Sequence, residues 1–184
     1  MSRKPQTPQA TASTAPGPDP RRRVVEAFRR RFGREPECVT RAPGRVALLG
    51  AHVDYSDGWV MPAAIDRAIY LAAAPAVGPD STLVALDEGQ EHRFDPNLPP
   101  PPPAERGDAV DWSDLPVGLA WAFRADGLKV PALDVVYGGD VPQGAGVSSS
   151  AAVAVAFALA WRRLARLDLG DVQIPLLCRR MENE

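Results

Sequence analysis

Cysteine and histidine are scarce in this chain, with two of each among 184 residues. Neither Cys38 nor Cys178 has a cysteine or histidine at metal-ligand spacing, which excludes a disulfide framework and a Cys/His zinc centre. Long apolar runs are also missing. The longest, Ala151 to Trp161, falls well short of the roughly 18 residues of a membrane span. No apolar segment follows Met1-Ser2-Arg3-Lys4-Pro5, so a secretory signal is not expected and the cytoplasm is the expected compartment. Charge of one sign is lacking too. Lys and Arg number 21 against 23 Asp and Glu, a net charge of -2 without the basic excess of a nucleic-acid binder. What remains is an ordinary globular composition, 45% hydrophobic and 24% charged, long enough for one domain with a real core.

Residues 1–20 are rich in Pro, Ser, Thr and Ala without periodicity and read as a disordered tail, leaving 21–184 as the domain. Val24, Val25, Phe28 and Phe32 recur at helical spacing, and Arg21-Arg22-Arg23 reads as a solvated face of that helix. Cys38 to Ala42 predicts a short strand entering a turn at Pro43-Gly44, followed by a buried strand Val46 to Leu49. Further strands are expected at Trp59 to Met61, Ala68 to Ala74, Leu83 to Leu86, Glu91 to Phe94 and Leu133 to Tyr137. Five prolines, Pro99 to Pro103, predict a stiff surface loop. Helices are expected from Trp112 to Arg124, from Ser148 to Leu167, and from Ile174 onward. Strands and helices mixed in this order give an α+β (α/β two-layer) fold.

Two segments carry chemistry. In Pro142-Gln143-Gly144-Ala145-Gly146-Val147-Ser148-Ser149-Ser150 a strand precedes and an Ala-rich helix follows. Gly144 and Gly146 permit positive φ and close approach of a ligand. Three serines open the helix, where unpaired N–H groups and partial positive charge gather. Together they suit a phosphate. The alternative is a plain serine N-cap, which consecutive serines after Gly-x-Gly make the poorer account. The spacing is neither that of a Walker loop nor that of a dinucleotide fingerprint.

The second segment, Arg41 to Tyr55, sends a buried strand into Gly50 and then His52, Asp54 and Tyr55. Hydrogen-bonding side chains at a strand end suit a polyhydroxyl ligand. Arg45 is a fixed cation able to stabilise charge on a transferring phosphoryl group. Read alone, His52 fits a structural histidine as well as a ligand contact.

Together these segments resemble the GHMP kinases and their galactokinase branch. Gly44-Arg45-Val46-Ala47-Leu48-Leu49-Gly50-Ala51-His52-Val53-Asp54-Tyr55 is similar at most positions to the galactokinase signature, and Pro142 to Ala151 to the family's ATP-binding motif. The resemblance implies a two-domain α/β kinase whose N-terminal domain is like ribosomal protein S5 domain 2, with this chain covering most of that domain and the C-terminal domain absent. It implies ATP and Mg²⁺, with Pro142, Gly144, Ala145, Gly146, Val147, Ser148, Ser149 and Ser150 around the nucleotide. Ser150 and Glu182 would hold the metal, Arg45 would be catalytic, and His52, Asp54 and Tyr55 would hold the sugar. Trp112 resembles the tryptophan near the adenine pocket, although a core aromatic reads nearly as well. The implied partners are a small sugar and ATP, with no nucleic acid or membrane, and a monomer is expected.

Two departures qualify the likeness. The family's catalytic aspartate falls beyond Glu184, so negligible kinase turnover is expected of this polypeptide alone. Ala51 replaces a glutamate, and Ala47 an asparagine, that the family uses. A carboxylate would repel a C6 carboxylate and alanine would not, so galacturonate is the alternative substrate to galactose. A non-catalytic sugar and ATP sensor is the alternative of another class.

Overall fold

The computed structural model of the protein describes residues 19–50, 58–99 and 112–183. The tail over 1–18, Ala51, His52, Asp54, Tyr55 and most of the proline run lie outside the described residues.

Helix α1 (Pro20–Phe32) is specified by its own ends. Asp19 accepts the Arg21 N–H at 3.0 Å, Pro20 supplies a preset φ at the first turn, and Gly33 closes the helix at φ 66°. Strands β1 (Cys38–Leu49), β2 (Met61–Pro75), β3 (Ser81–Ala85), β4 (Gln90–Phe94) and β5 (Leu133–Gly139) form one sheet in the order β1-β2-β5-β3-β4. All neighbours pair antiparallel except β3 with β5. Helices α2 (Asp114–Ala125), α3 (Ser149–Leu164) and α4 (Gln173–Asn183) complete the described elements.

Strand alternation assigns the layers. Leu71, Ala73, Leu83, Val135 and Tyr137 face the core shared with α2, α3 and α4, whereas Ala72, Ala74 and Val136 face α1 through Val24, Ala27 and Phe28. The mixed α+β architecture expected from the element order is present, with α1 covering the opposite face of the sheet from the other helices. Alanines keep α3 close to the sheet, and Thr40 Oγ1 donates to the Ala156 carbonyl at 2.9 Å.

Three local expectations change. Pro43-Gly44 is no turn. β1 runs through it with a register shift between Pro43 and Arg45. The strand lies at the edge of the sheet, where a residue without an N–H costs little and a bulge absorbs the irregularity. Met61 to Pro75 is one long strand rather than two short ones. α3 ends at Leu164, and Arg166 at φ 52° turns the chain away before Leu167.

Burial raises both thiols above their ordinary value of 9.0, Cys38 to about 11 and Cys178 to about 12. The folded state favours the protonated thiols, so their contribution is intact below pH 9 and is lost as pH rises toward 11. Urea midpoints should therefore fall between pH 9 and 11, and a Cys38→Ala, Cys178→Ala double variant should show a shallower fall over the same range.

Candidate functional site

The loop between β5 and α3 is shaped by glycine where sequence reading placed it. Gly144 (φ 68°) and Gly146 (φ 69°) both adopt left-handed conformations with open space around the absent side chain. Ser148 also takes φ 60°, ψ 46° at the N-cap of α3, and its side chain makes no cap bond. That hydroxyl instead receives Arg45 Nη2 at 2.8 Å. The first-turn N–H groups of α3 are thus left without a side-chain cap, at the positive end of the helix dipole.

Gly44 and Arg45 bring β1 against this loop. The Arg45 N–H donates to the Val147 carbonyl at 2.9 Å. A Cβ on Gly44 would stand 3.0 Å from the Val147 oxygen and 3.1 Å from both Ile65 Cδ1 and Val141 Cγ1. The same bulged strand then leads into the segment containing His52, Asp54 and Tyr55.

The loop opens on a cleft of about 560 Å³. Its walls include Trp112, Leu115, Ile69, Tyr137 and Val153, with Gly144, Ser149 and Ser150 from the loop and helix end and Asp87 and Glu88 from the β3–β4 turn beside them. Trp112 is positioned by its indole N–H, which donates to Gln90 Oε1, and by Tyr137, whose ring centre lies 5.9 Å away. Tyr137 in turn packs edge-on against Phe157 of α3 at 5.6 Å. An aromatic wall beside a cluster of N–H donors can hold a planar base at one end and an anion at the other.

The structure brings together Trp112, Gly144, Ser149 and Ser150. Pro142, Ala145, Gly146, Val147 and Ser148 belong to the same loop but do not line the cleft. Arg45 reaches the loop from outside it and is exposed. Glu182 is exposed on α4 and is not on the cleft wall. Its neighbour Met181 packs against Gly118 of α2, whose Cβ would come 3.0 Å from Met181 Cγ. Among the described residues no three His, Cys, Asp or Glu side chains gather as a metal site.

Sequence reasoning missed Asp87, Glu88 and Tyr137. The first two occupy the turn between β3 and β4, whose hairpin was legible. That its tip reaches the β5–α3 loop depends on β3 pairing parallel to β5, a long-range contact with no local signature.

Comparison with known proteins agrees with this geometry. The profile of the galactokinase galactose-binding signature matches residues 26–75, and that of the GHMP kinases N-terminal domain matches residues 114–184. A galactokinase of Streptomyces coelicolor is 40% identical over 160 residues, 87% of this chain and 40% of its own length. A galactokinase of Roseiflexus is 38% identical over 158 residues, 86% of this chain and 39% of its own length. The chain thus spans about two fifths of these relatives. Among solved structures, Lactococcus lactis galactokinase, complexed with galactose, superposes at TM-score 0.73 with 25% identity, over 86% of this chain and 41% of that one. Methanococcus jannaschii mevalonate kinase shares the fold at TM-score 0.64 and 17% identity, over 79% and 45%. With both segments matched in order and the fold in common, the chain carries a galactokinase galactose-binding signature and a GHMP kinases N-terminal domain.

Proposed function

We propose that the protein of which this chain forms the nucleotide-binding part is an ATP-dependent sugar 1-kinase. It transfers the γ-phosphoryl group of MgATP to the anomeric hydroxyl of galactose or a closely related sugar. The observation that carries this reading is the amino end of α3. Its N–H groups lack a side-chain cap, two left-handed glycines precede it, and it faces a cleft with an aromatic wall. Such an end attracts a polyanion through fixed dipoles already in place.

In this reading Trp112 flanks the base while Gly144, Ser149 and Ser150 receive the phosphates, and Gly146 supplies the second left-handed turn of the loop. Arg45 stabilises charge developing on the transferring group, and its hydrogen bond to Ser148 keeps it beside the loop. His52, Asp54 and Tyr55 hold sugar hydroxyls. They follow in sequence on the strand that carries Arg45, which supports this reading.

Mg²⁺, which neutralises phosphate charge, fits a hard-oxygen set of the Ser150 hydroxyl, phosphate oxygens and a carboxylate. We assign that carboxylate to Glu182. Glu182 lies on α4, the helix whose Met181 packs on α2, and stands outside the cleft wall, so the assignment rests on the resemblance alone. Monomeric action on small molecules in the cytoplasm completes the proposal.

A melting experiment on the chain tests it. MgATP at 100 times its dissociation constant should stabilise the fold by about 2.7 kcal/mol. An unchanged melting temperature would remove the nucleotide reading. Substrate choice is tested separately on the whole protein with galactose and galacturonate. Ala51, in place of the family's glutamate, motivates the second sugar, and a strong galactose preference would dismiss it.

A further inference from the structure

The tip of the β3–β4 hairpin holds the end of β5 and the loop that follows it through two adjacent carboxylates. Asp87 Oδ2 accepts the N–H of Gly139 at 2.7 Å, and Oδ1 accepts Arg23 Nη2 of α1 at 2.6 Å. Gly139 is the last residue of β5, the point from which the loop departs. The Leu86 N–H donates to the Tyr137 carbonyl at 2.9 Å, which extends the contact of hairpin and strand up to that point. Asp87 lies so close over the strand end that a Cβ on Gly138 would meet Oδ2 at 2.8 Å. Next to it, Glu88 Oε1 accepts from Gln143 Nε2 inside the loop.

A carboxylate on the wall of a cleft that receives a triphosphate would be expected to repel it. Here both oxygens of Asp87 are committed, one to a guanidinium and one to a backbone donor. We propose that Asp87 is a positioning residue for the phosphate loop: it fixes the Gly139 N–H and so the direction in which the loop leaves β5, while Arg23 neutralises and aims it. This inference rests on the reading of the loop as a nucleotide-phosphate cradle.

Calorimetric titration of the chain with MgATP, and with adenosine as a phosphate-free probe, tests it. Asp87→Ala should lose about tenfold in MgATP affinity, the scale of one charge-assisted hydrogen bond, with adenosine binding unchanged. Asp87→Asn keeps an acceptor for Gly139 and should stay within about threefold of the parent chain. Arg23→Met, which removes the aiming contact but leaves the carboxylate, should lose about threefold for MgATP alone. If Asp87→Ala fails to fold, the other two variants carry the test.

Equal losses for MgATP and adenosine would mark a merely structural role and overturn the proposal. So would parental MgATP affinity in both Asp87→Ala and Arg23→Met. A parent chain that binds MgATP while the variants do the same removes this proposal only. A parent chain that does not bind MgATP removes the nucleotide reading and this inference with it.

Discussion

Trp161→Ala is expected to lower stability by about 3–5 kcal/mol, the cost of emptying a large aromatic site in a packed core. Trp161 is 1% exposed on α3 and lies against Phe123 of α2 at 5.7 Å and Phe157 at 5.9 Å. Its indole N–H donates to the Pro131 carbonyl at 3.1 Å, so truncation also strands a half-buried acceptor. Domains are usually stable by only about 5–15 kcal/mol, so this one change would remove much of the total. At this chain length the loss corresponds to a melting temperature lower by roughly 6–20 °C. Urea unfolding followed by circular dichroism checks it, and a loss below about 1 kcal/mol would mean that α2 and α3 do not share this core.

Gly139→Ala is expected to cost about 3 kcal/mol and to abolish most of the MgATP-dependent stabilisation. A Cβ at Gly139 would fall 2.2 Å from the Ala68 carbonyl oxygen and 3.0 Å from Ile69 Cα. Both are backbone atoms of β2, held in register by the Ile69–Gly139 pairing and by Asp140 Oδ1, which accepts the Ala68 N–H at 2.9 Å. Neither can retreat without opening the sheet where the loop begins. Gly138→Ala is the internal comparison. Its new methyl meets the Asp87 carboxylate and Leu86 Cβ, side-chain atoms rather than backbone, so a smaller cost of about 1–2 kcal/mol is expected, part of it from displacing Asp87 from the Gly139 N–H. Equal costs for the two substitutions would show that the β2–β5 junction yields more than its hydrogen bonding implies.

The difference between these two glycines was invisible in the sequence, where Gly138 and Gly139 are simply adjacent. The same holds for Pro43-Gly44, which has the composition of a turn yet lies within a strand. Only the bulge at the sheet edge and the approach of Val147 explain why those residues stand there. Asp87 is a similar case. A carboxylate in a hairpin turn reads as solvated until the parallel pairing of β3 with β5 carries it to Gly139.

Helix α1 was legible because Val24, Val25, Phe28 and Phe32 recur at helical spacing, a pattern contained in a few turns, although its capping residues Asp19 and Pro20 read as part of the tail. The glycine-serine loop was legible for the same reason. Backbone freedom and unpaired helix donors are local properties, and they follow from residue type and order alone. By itself, then, the sequence determined where helices begin, which loop suits an anion and which family the chain resembles. Tertiary structure alone decided that the hairpin tip, the edge strand and the aromatic wall converge on that loop, because strand pairing and close backbone approach join residues far apart in the chain and leave no periodic trace in either partner.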